Sequence, residues 1–247
     1  MLKNFIVGLL GGVLGAFLFL ITTFTYSDDR MGAYILSHFY IDNDPITKQE
    51  LTPTPLPSSA PDFWERISSE ASLSSVAVQV FKDNRIVKSG SGIILSSDGL
   101  IVIPAEMTSS GSIYQILYED KIVKGVLVSF DVKRNLAIIK AVGSEFNLNV
   151  SDLGTNLSYQ SGQDVLIVGK LADPSRSTTI SQKGMVSYVI GGRIVLDTFT
   201  NTALVGAKIL NSKGELVGIL YIRGGKSYVI NGEVIDTFFK EYLNKKQ

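Results

Sequence analysis

From Ser75 to Ile230 the sequence is a train of short apolar runs divided by turn residues at nearly regular spacing. Runs that short are poor candidates for amphipathic helices, and such spacing marks a β-sandwich or β-barrel. The expected strands are Val76–Phe81, Ile86–Leu95, Leu100–Pro104, Ile113–Tyr118, Ile122–Phe130 and Leu136–Val142. A second group follows at Asp164–Gly169, Thr178–Ile190, Arg193–Thr198, Ala207–Leu210, Leu216–Arg223 and Lys226–Ile230. Between them lie turn signals: Asp83-Asn84, Ser97-Asp98-Gly99, Gly191-Gly192, Asn211-Ser212-Lys213-Gly214 and Gly224-Gly225. The Gly-Gly pairs suit two-residue hairpins, whose central residues need positive φ. The pattern predicts an all-β body of two six-stranded groups. A short helix from Phe63-Trp64 to Ser74 is expected to cover one end. Ile235, Phe238, Phe239 and Tyr242 fall at helical spacing, so the chain closes with a helix over Val234–Leu243.

Ahead of this body, Phe5 to Phe24 carries no charge. Twenty residues at about 1.5 Å each span about 30 Å, the hydrocarbon thickness of a bilayer. No small-x-small cleavage site follows, so this segment is read as an uncleaved transmembrane helix, with residues 1–25 as anchor. Lys3 on one side and Asp28-Asp29 on the other place the amino terminus in the cytoplasm and the body outside it. This gives a single-pass protein of the cell membrane. Residues 26–61 form a juxtamembrane stalk, with an amphipathic stretch at Met31–Ile41 and a proline-rich spacer at Leu51–Pro61. The folded body is expected over residues 62–247.

Formal net charge is zero, with 23 Lys and Arg against 23 Asp and Glu, so bulk electrostatics give no case for nucleic acid. There is no cysteine, which excludes disulfides and thiolate chemistry. No Asp, Glu and His cluster has metal-ligand spacing, so neither metal nor cofactor is expected. Ser89-Gly-Ser-Gly92 lacks the downstream helix that a phosphate loop needs. The one histidine, His38, lies in the stalk.

Four stretches carry a resemblance when taken in order. They are Ser89-Gly-Ser-Gly-Ile-Ile-Leu-Ser-Ser-Asp-Gly-Leu-Ile-Val102, Asp131-Val-Lys-Arg-Asn-Leu-Ala-Ile-Ile-Lys140, the segment Leu157 to Val189 with Gly162, Val165, Gly169, Pro174 and Gly184-Met-Val-Ser187, and Gly214-Glu-Leu-Val-Gly-Ile219. Together they resemble the trypsin-like serine proteases, most closely the HtrA/Deg branch. The resemblance implies the chymotrypsin fold: two six-stranded antiparallel β-barrels with a C-terminal helix, here preceded by one transmembrane helix. By the same analogy it implies a homo-oligomer, a trimer.

The positions that carry the family's chemistry are altered. Glu106 stands where the histidine falls, Asn135 where the aspartate falls, and Val205 where the serine falls. A serine mechanism needs a nucleophile, a base beside it and donors for the oxyanion. Valine has no heteroatom, and an ordinary carboxylate is a poor base for a hydroxyl at neutral pH. Of the oxyanion loop, Gly206 is retained while Ala203 replaces a glycine. Lys208 is the nearest lysine, and the local sequence pairs no hydroxyl with it. The chain is therefore expected to be a pseudoprotease, a binding or scaffolding module with no catalytic residues. The alternative is an active serine endopeptidase with a rearranged site. The resemblance also marks Leu220-Tyr221-Ile222 as the edge strand that meets an extended peptide or protein partner, with the Tyr221 N–H as donor.

Overall fold

The computed structural model describes residues 62–143, 148–154, 159–173 and 176–246. These lie in one compact unit, Ser59–Gln247. The expected anchor, the stalk and His38 fall outside the described residues. Among the described residues, no helix is long and apolar enough to cross a membrane.

The body opens with α1 (Phe63–Ser72). Strands β1 (Ser75–Lys82), β2 (Arg85–Ile94), β3 (Leu100–Pro104), β4 (Ile113–Tyr118), β5 (Lys121–Asp131) and β6 (Leu136–Val142) follow. They close into an antiparallel barrel in the order β1-β2-β3-β6-β5-β4. The second barrel is built from β7 (Asp164–Asp173), β8 (Arg176–Ile190), β9 (Arg193–Asp197), β10 (Lys208–Leu210), β11 (Leu216–Arg223) and β12 (Lys226–Asn231). Its order is β10-β11-β12-β9-β8-β7. Helix α2 (Gly232–Lys246) ends the chain. Two closed barrels leave neither sheet with a free lateral strand.

Side-chain alternation explains which strands read as continuous apolar runs. In β2, β3 and β6 one face fills the first barrel, with Ile94, Ile101, Ile103, Ala137 and Ile139. The other face, with Ile93, Leu100, Val102, Leu136 and Ile138, packs against Leu166, Val168, Leu210, Leu216 and Ile219 of the second barrel. Strands buried on both faces lose the polar half of the period-two pattern. Strand β5 faces solvent on one side and keeps alternating exposure.

Helix α1 does not close a barrel end. Its buried Ile67 joins the core between the barrels, where α2 adds Ile235 and Phe238. Helix α2 also ties back to the first barrel, because Arg134 donates to both carboxylate oxygens of Glu241 at 2.7 and 2.8 Å. The β7–β8 ribbon runs further than its apolar residues suggest, pairing Lys170–Asp173 with Arg176–Thr179. Its end reaches the first barrel, where the Ser177 N–H donates to the Glu119 carbonyl at 3.2 Å.

Buried Ser91 clasps the two barrels. Its N–H donates to the Val205 carbonyl at 2.7 Å. Its Oγ accepts the Lys170 N–H at 2.9 Å and donates to the Lys170 carbonyl at 3.2 Å. The Ser89-Gly-Ser-Gly92 stretch is thus a junction between barrels. A Cβ at Gly90 would lie 2.5 Å from the Val205 carbonyl oxygen.

Candidate functional site

Glu106 sits in a 3-10 turn, Ala105–Met107, that directly follows β3. Asn135 holds this turn from the β5–β6 connection. Its Oδ1 accepts the Glu106 N–H at 3.0 Å, and its carbonyl accepts the Ala105 N–H at 2.9 Å. Asn135 adopts φ 56°, a left-handed conformation that asparagine tolerates better than most residues. Its side chain therefore positions main chain and leaves the Glu106 carboxylate to other partners.

That carboxylate is half-buried and reaches across the barrel junction, where Oε1 accepts the Ile222 N–H at 3.3 Å. Desolvation by burial pushes its pKa up, while the Ile222 N–H and the charges of Lys88 and Arg223 hold it down in part. The Lys88 ammonium donates to the Glu106 carbonyl and, at 3.1 Å, to that of Thr108.

Val205 follows a second 3-10 turn, Thr202–Leu204. It is 9% exposed and packs in the core of the first barrel with Ala105 and Met107, the neighbours of Glu106. The fold thus brings positions 106, 135 and 205 together. Every N–H of the loop from Ala203 to Ala207 is already paired. Ala203 donates to Asn201 Oδ1 at 3.0 Å and Val205 to the Thr202 carbonyl at 3.2 Å. Leu204 donates to Asn201, Gly206 to Leu220 and Ala207 to Leu204, all between 2.8 and 3.0 Å. An oxyanion would have to break one of these bonds to gain a donor.

The expected peptide edge is partly occupied. Leu220 spends its N–H on the Ala207 carbonyl and its carbonyl on the Gly206 N–H. Pleat alternation then turns Tyr221 toward β12, where it faces Tyr228 with rings stacked at 5.2 Å. Ile222 turns back to the open side. The Tyr221 N–H expected to meet a partner belongs to the sheet, and the outward donor is that of Ile222, now held by Glu106.

Lys208 does have a hydroxyl partner. It is 2% exposed on β10, and its ammonium meets Ser74 Oγ and the Ala71 carbonyl, the latter at 3.1 Å. Burial lowers its pKa to about 7. No local signal could reveal the pair, because Ser74 lies 134 residues away in the sequence. Among the described residues, no three His, Cys, Asp or Glu side chains converge as metal ligands would.

The trypsin-like peptidase domain family matches residues 90–219, more than half of the chain. Human serine protease HTRA4 is 26% identical over 63% of this chain and 35% of its own length. Serine protease HTRA1 of Xenopus laevis is 28% identical over 67% of this chain and 39% of its own. The chain thus spans well under half the length of either relative. A serine endoprotease of Yersinia pestis superposes with a TM-score of 0.63 at 21% identity, covering 74% of this chain and 68% of that one, a likeness of fold. With two closed six-stranded barrels, and with positions 106, 135 and 205 gathered at their junction, the chain belongs to the trypsin-like peptidase domain family.

Proposed function

We propose that this protein is a membrane-anchored pseudoprotease: the trypsin-like centre no longer performs acyl transfer, and the same face holds an extended segment of a partner outside the cytoplasm. The state of the 203–207 loop carries the reading. An apolar side chain fills the nucleophile position, and both N–H groups that would face an oxyanion are spent within the loop. The names of the relatives favour the alternative, an active serine endopeptidase with a rearranged site. Against it, Glu106 is occupied by the Ile222 N–H and Asn135 by main chain, so neither is arranged to serve a nucleophile.

The purified full-length chain is expected to leave unfolded casein intact. Val205→Ser alone should leave it inert, because position 106 carries a carboxylate in place of the imidazole that accepts the proton. The triple variant with Glu106→His and Asn135→Asp should regain at most a trace, since the loop must also release its two N–H groups. Steady casein cleavage by the unmodified chain would overturn the reading.

Docking is proposed at the Ile222 end of β11. A partner strand would take the Ile222 N–H from Glu106 and pair by main-chain hydrogen bonds. Ile222→Pro removes that donor and should weaken capture of labelled unfolded casein about threefold to tenfold, the worth of one hydrogen bond. Glu106→Ala should tighten capture by freeing the donor. Equal affinity in wild type and both variants would exclude this edge.

The anchor over Phe5–Phe24 belongs to the same reading. Protease added to intact cells should digest residues 62–247 while a cytoplasmic marker survives, and protection of the body would reverse the topology. Three anchored copies assembling as a trimer is an analogy with the HtrA branch, to be checked by the mass of the purified protein in solution.

A further inference from the structure

We propose that Ser74 and Lys208 form a reactive centre apart from the trypsin-like face: a serine–lysine pair that accepts short acyl groups from esters in the cleft between α1 and the β10–β11 turn. The cleft has a volume of about 580 Å³ and is lined by both residues. Neither Glu106, Asn135 nor Val205 lines it. The proposal therefore goes beyond the pseudoprotease reading and does not depend on it.

Three features set this lysine apart from an ordinary buried cation. It bonds a serine hydroxyl directly. The Ala71 carbonyl accepts a hydrogen bond from the same nitrogen at 3.1 Å, and so orients the amine as the third member of a triad orients a base. Among the described residues, no carboxylate lies within ion-pair distance of it; the described ion pairs all involve other residues. A buried amine without a counter-ion loses its proton readily. Burial brings Lys208 to about 7, so an appreciable share is neutral at physiological pH. A neutral amine hydrogen-bonded to a hydroxyl is the arrangement that activates serine where no histidine is present. The charged groups that line the cleft around the pair are Arg66 and Glu70 on α1, Asp152 beyond the first barrel, and Lys213 and Glu215 at the hairpin. Their signs nearly cancel, which favours a neutral substrate over an ionic one.

The chemistry balances without a co-reactant other than water. Ser74 Oγ bonds to the ester carbonyl carbon as its proton passes to Lys208 Nζ, and the carbonyl π pair moves onto oxygen. That pair returns, the alkoxy group leaves, and Lys208 hands it the proton. Water then attacks the acyl-serine, Lys208 takes and returns a proton, and a carboxylic acid and free Ser74 result.

The test uses the full-length chain and a small alkyl fluorophosphonate, which bonds serine Oγ through phosphorus with loss of fluoride. Peptide mass mapping should place the adduct on Ser74. The labelling rate should rise with pH to a plateau, with a midpoint near 7. Ser74→Ala should lower total labelling at least tenfold. Lys208→Met should do the same while its far-ultraviolet circular dichroism stays native, and Lys208→Arg should not rescue it, since guanidinium stays charged. Absence of an adduct on wild-type Ser74 would overturn the proposal, whatever the variants do. So would equal labelling of Ser74 in a folded Lys208→Met protein. The two functional readings fail separately: steady casein cleavage by the unmodified chain sinks the pseudoprotease reading, and an unlabelled Ser74 sinks this one.

Discussion

Gly206→Ala is expected to cost the fold about 3–5 kcal/mol in chemical denaturation, against about 1–2 kcal/mol for Gly214→Ala. The two glycines have nearly the same backbone, φ +82° and φ +80°. Both substitutions therefore carry the strain of a left-handed L-residue, about 1–2 kcal/mol. Their surroundings differ. A Cβ at Gly214 would meet nothing closer than Ile67 Cγ1 at 3.5 Å. A Cβ at Gly206 would collide with the Ser91 carbonyl group and come within 3.1 Å of Pro104 Cδ. That obstacle is backbone of the other barrel and cannot rotate away. It can move only if the Ser91–Val205 hydrogen bond at 2.7 Å is given up. The difference between the two variants therefore measures the close approach of the barrels. Equal losses would show that backbone conformation alone keeps glycine at 206.

Lys208→Met should flatten the pH dependence of stability between about pH 7 and 9.5. The folded pKa is about 7, and the usual value of 10.5 applies to the unfolded chain. Between those values the unfolded chain holds a proton that the folded chain lacks, so stability rises with pH. The contribution is fully present above the unfolded pKa and is lost as pH falls through the folded one. Each unit is worth about 1.4 kcal/mol, and the interval of about three and a half units amounts to about 5 kcal/mol. Methionine has nearly the same length and no charge to desolvate, so the variant should gain most at or below pH 7. The scan should stop near pH 9.5, because Tyr159, which donates to the Val217 carbonyl at 3.2 Å, has its pKa pushed up to about 12 and contributes the opposite slope above pH 10. A Lys208→Met protein no more stable than wild type at pH 6.5 would show that this ammonium is well solvated.

The strands were legible because their residues report burial directly. Alternation marks β5, an unbroken apolar run marks β3, and Gly-Gly pairs at φ 55°, 76°, 58° and 72° mark two hairpins. The tip of the β7–β8 ribbon was underestimated because Lys170 to Asp173 and Arg176-Ser177 pair through backbone, which side-chain polarity does not reveal. At the site, positions 106, 135 and 205 could be located by their place in ordered motifs. The hydrogen-bond state of the 203–207 loop could not, since it depends on where each N–H points. The orientation of β11 was misjudged by one residue for a similar reason. A period of two makes Ile222 outward only once Leu220 is known to pair with Gly206 and Ala207. The Ser74–Lys208 contact joins residues 134 positions apart, and only the packing of the segment from α1 to β1 beside β10 creates it.

The shared core between the barrels has a consequence for cooperativity. Leu136 and Ile138 from one barrel, Leu166 and Ile219 from the other, Ile67 of α1 and Phe238 of α2 form one apolar cluster. To separate the barrels would expose that cluster to water at about 25 cal/mol for every square ångström uncovered. A hinge motion that parts the two lobes would carry that cost, which couples the stability of each barrel to the other. Whatever this protein grips, it must admit by local rearrangement at the junction, one loop or one side chain at a time. Opening and global unfolding are here nearly the same event.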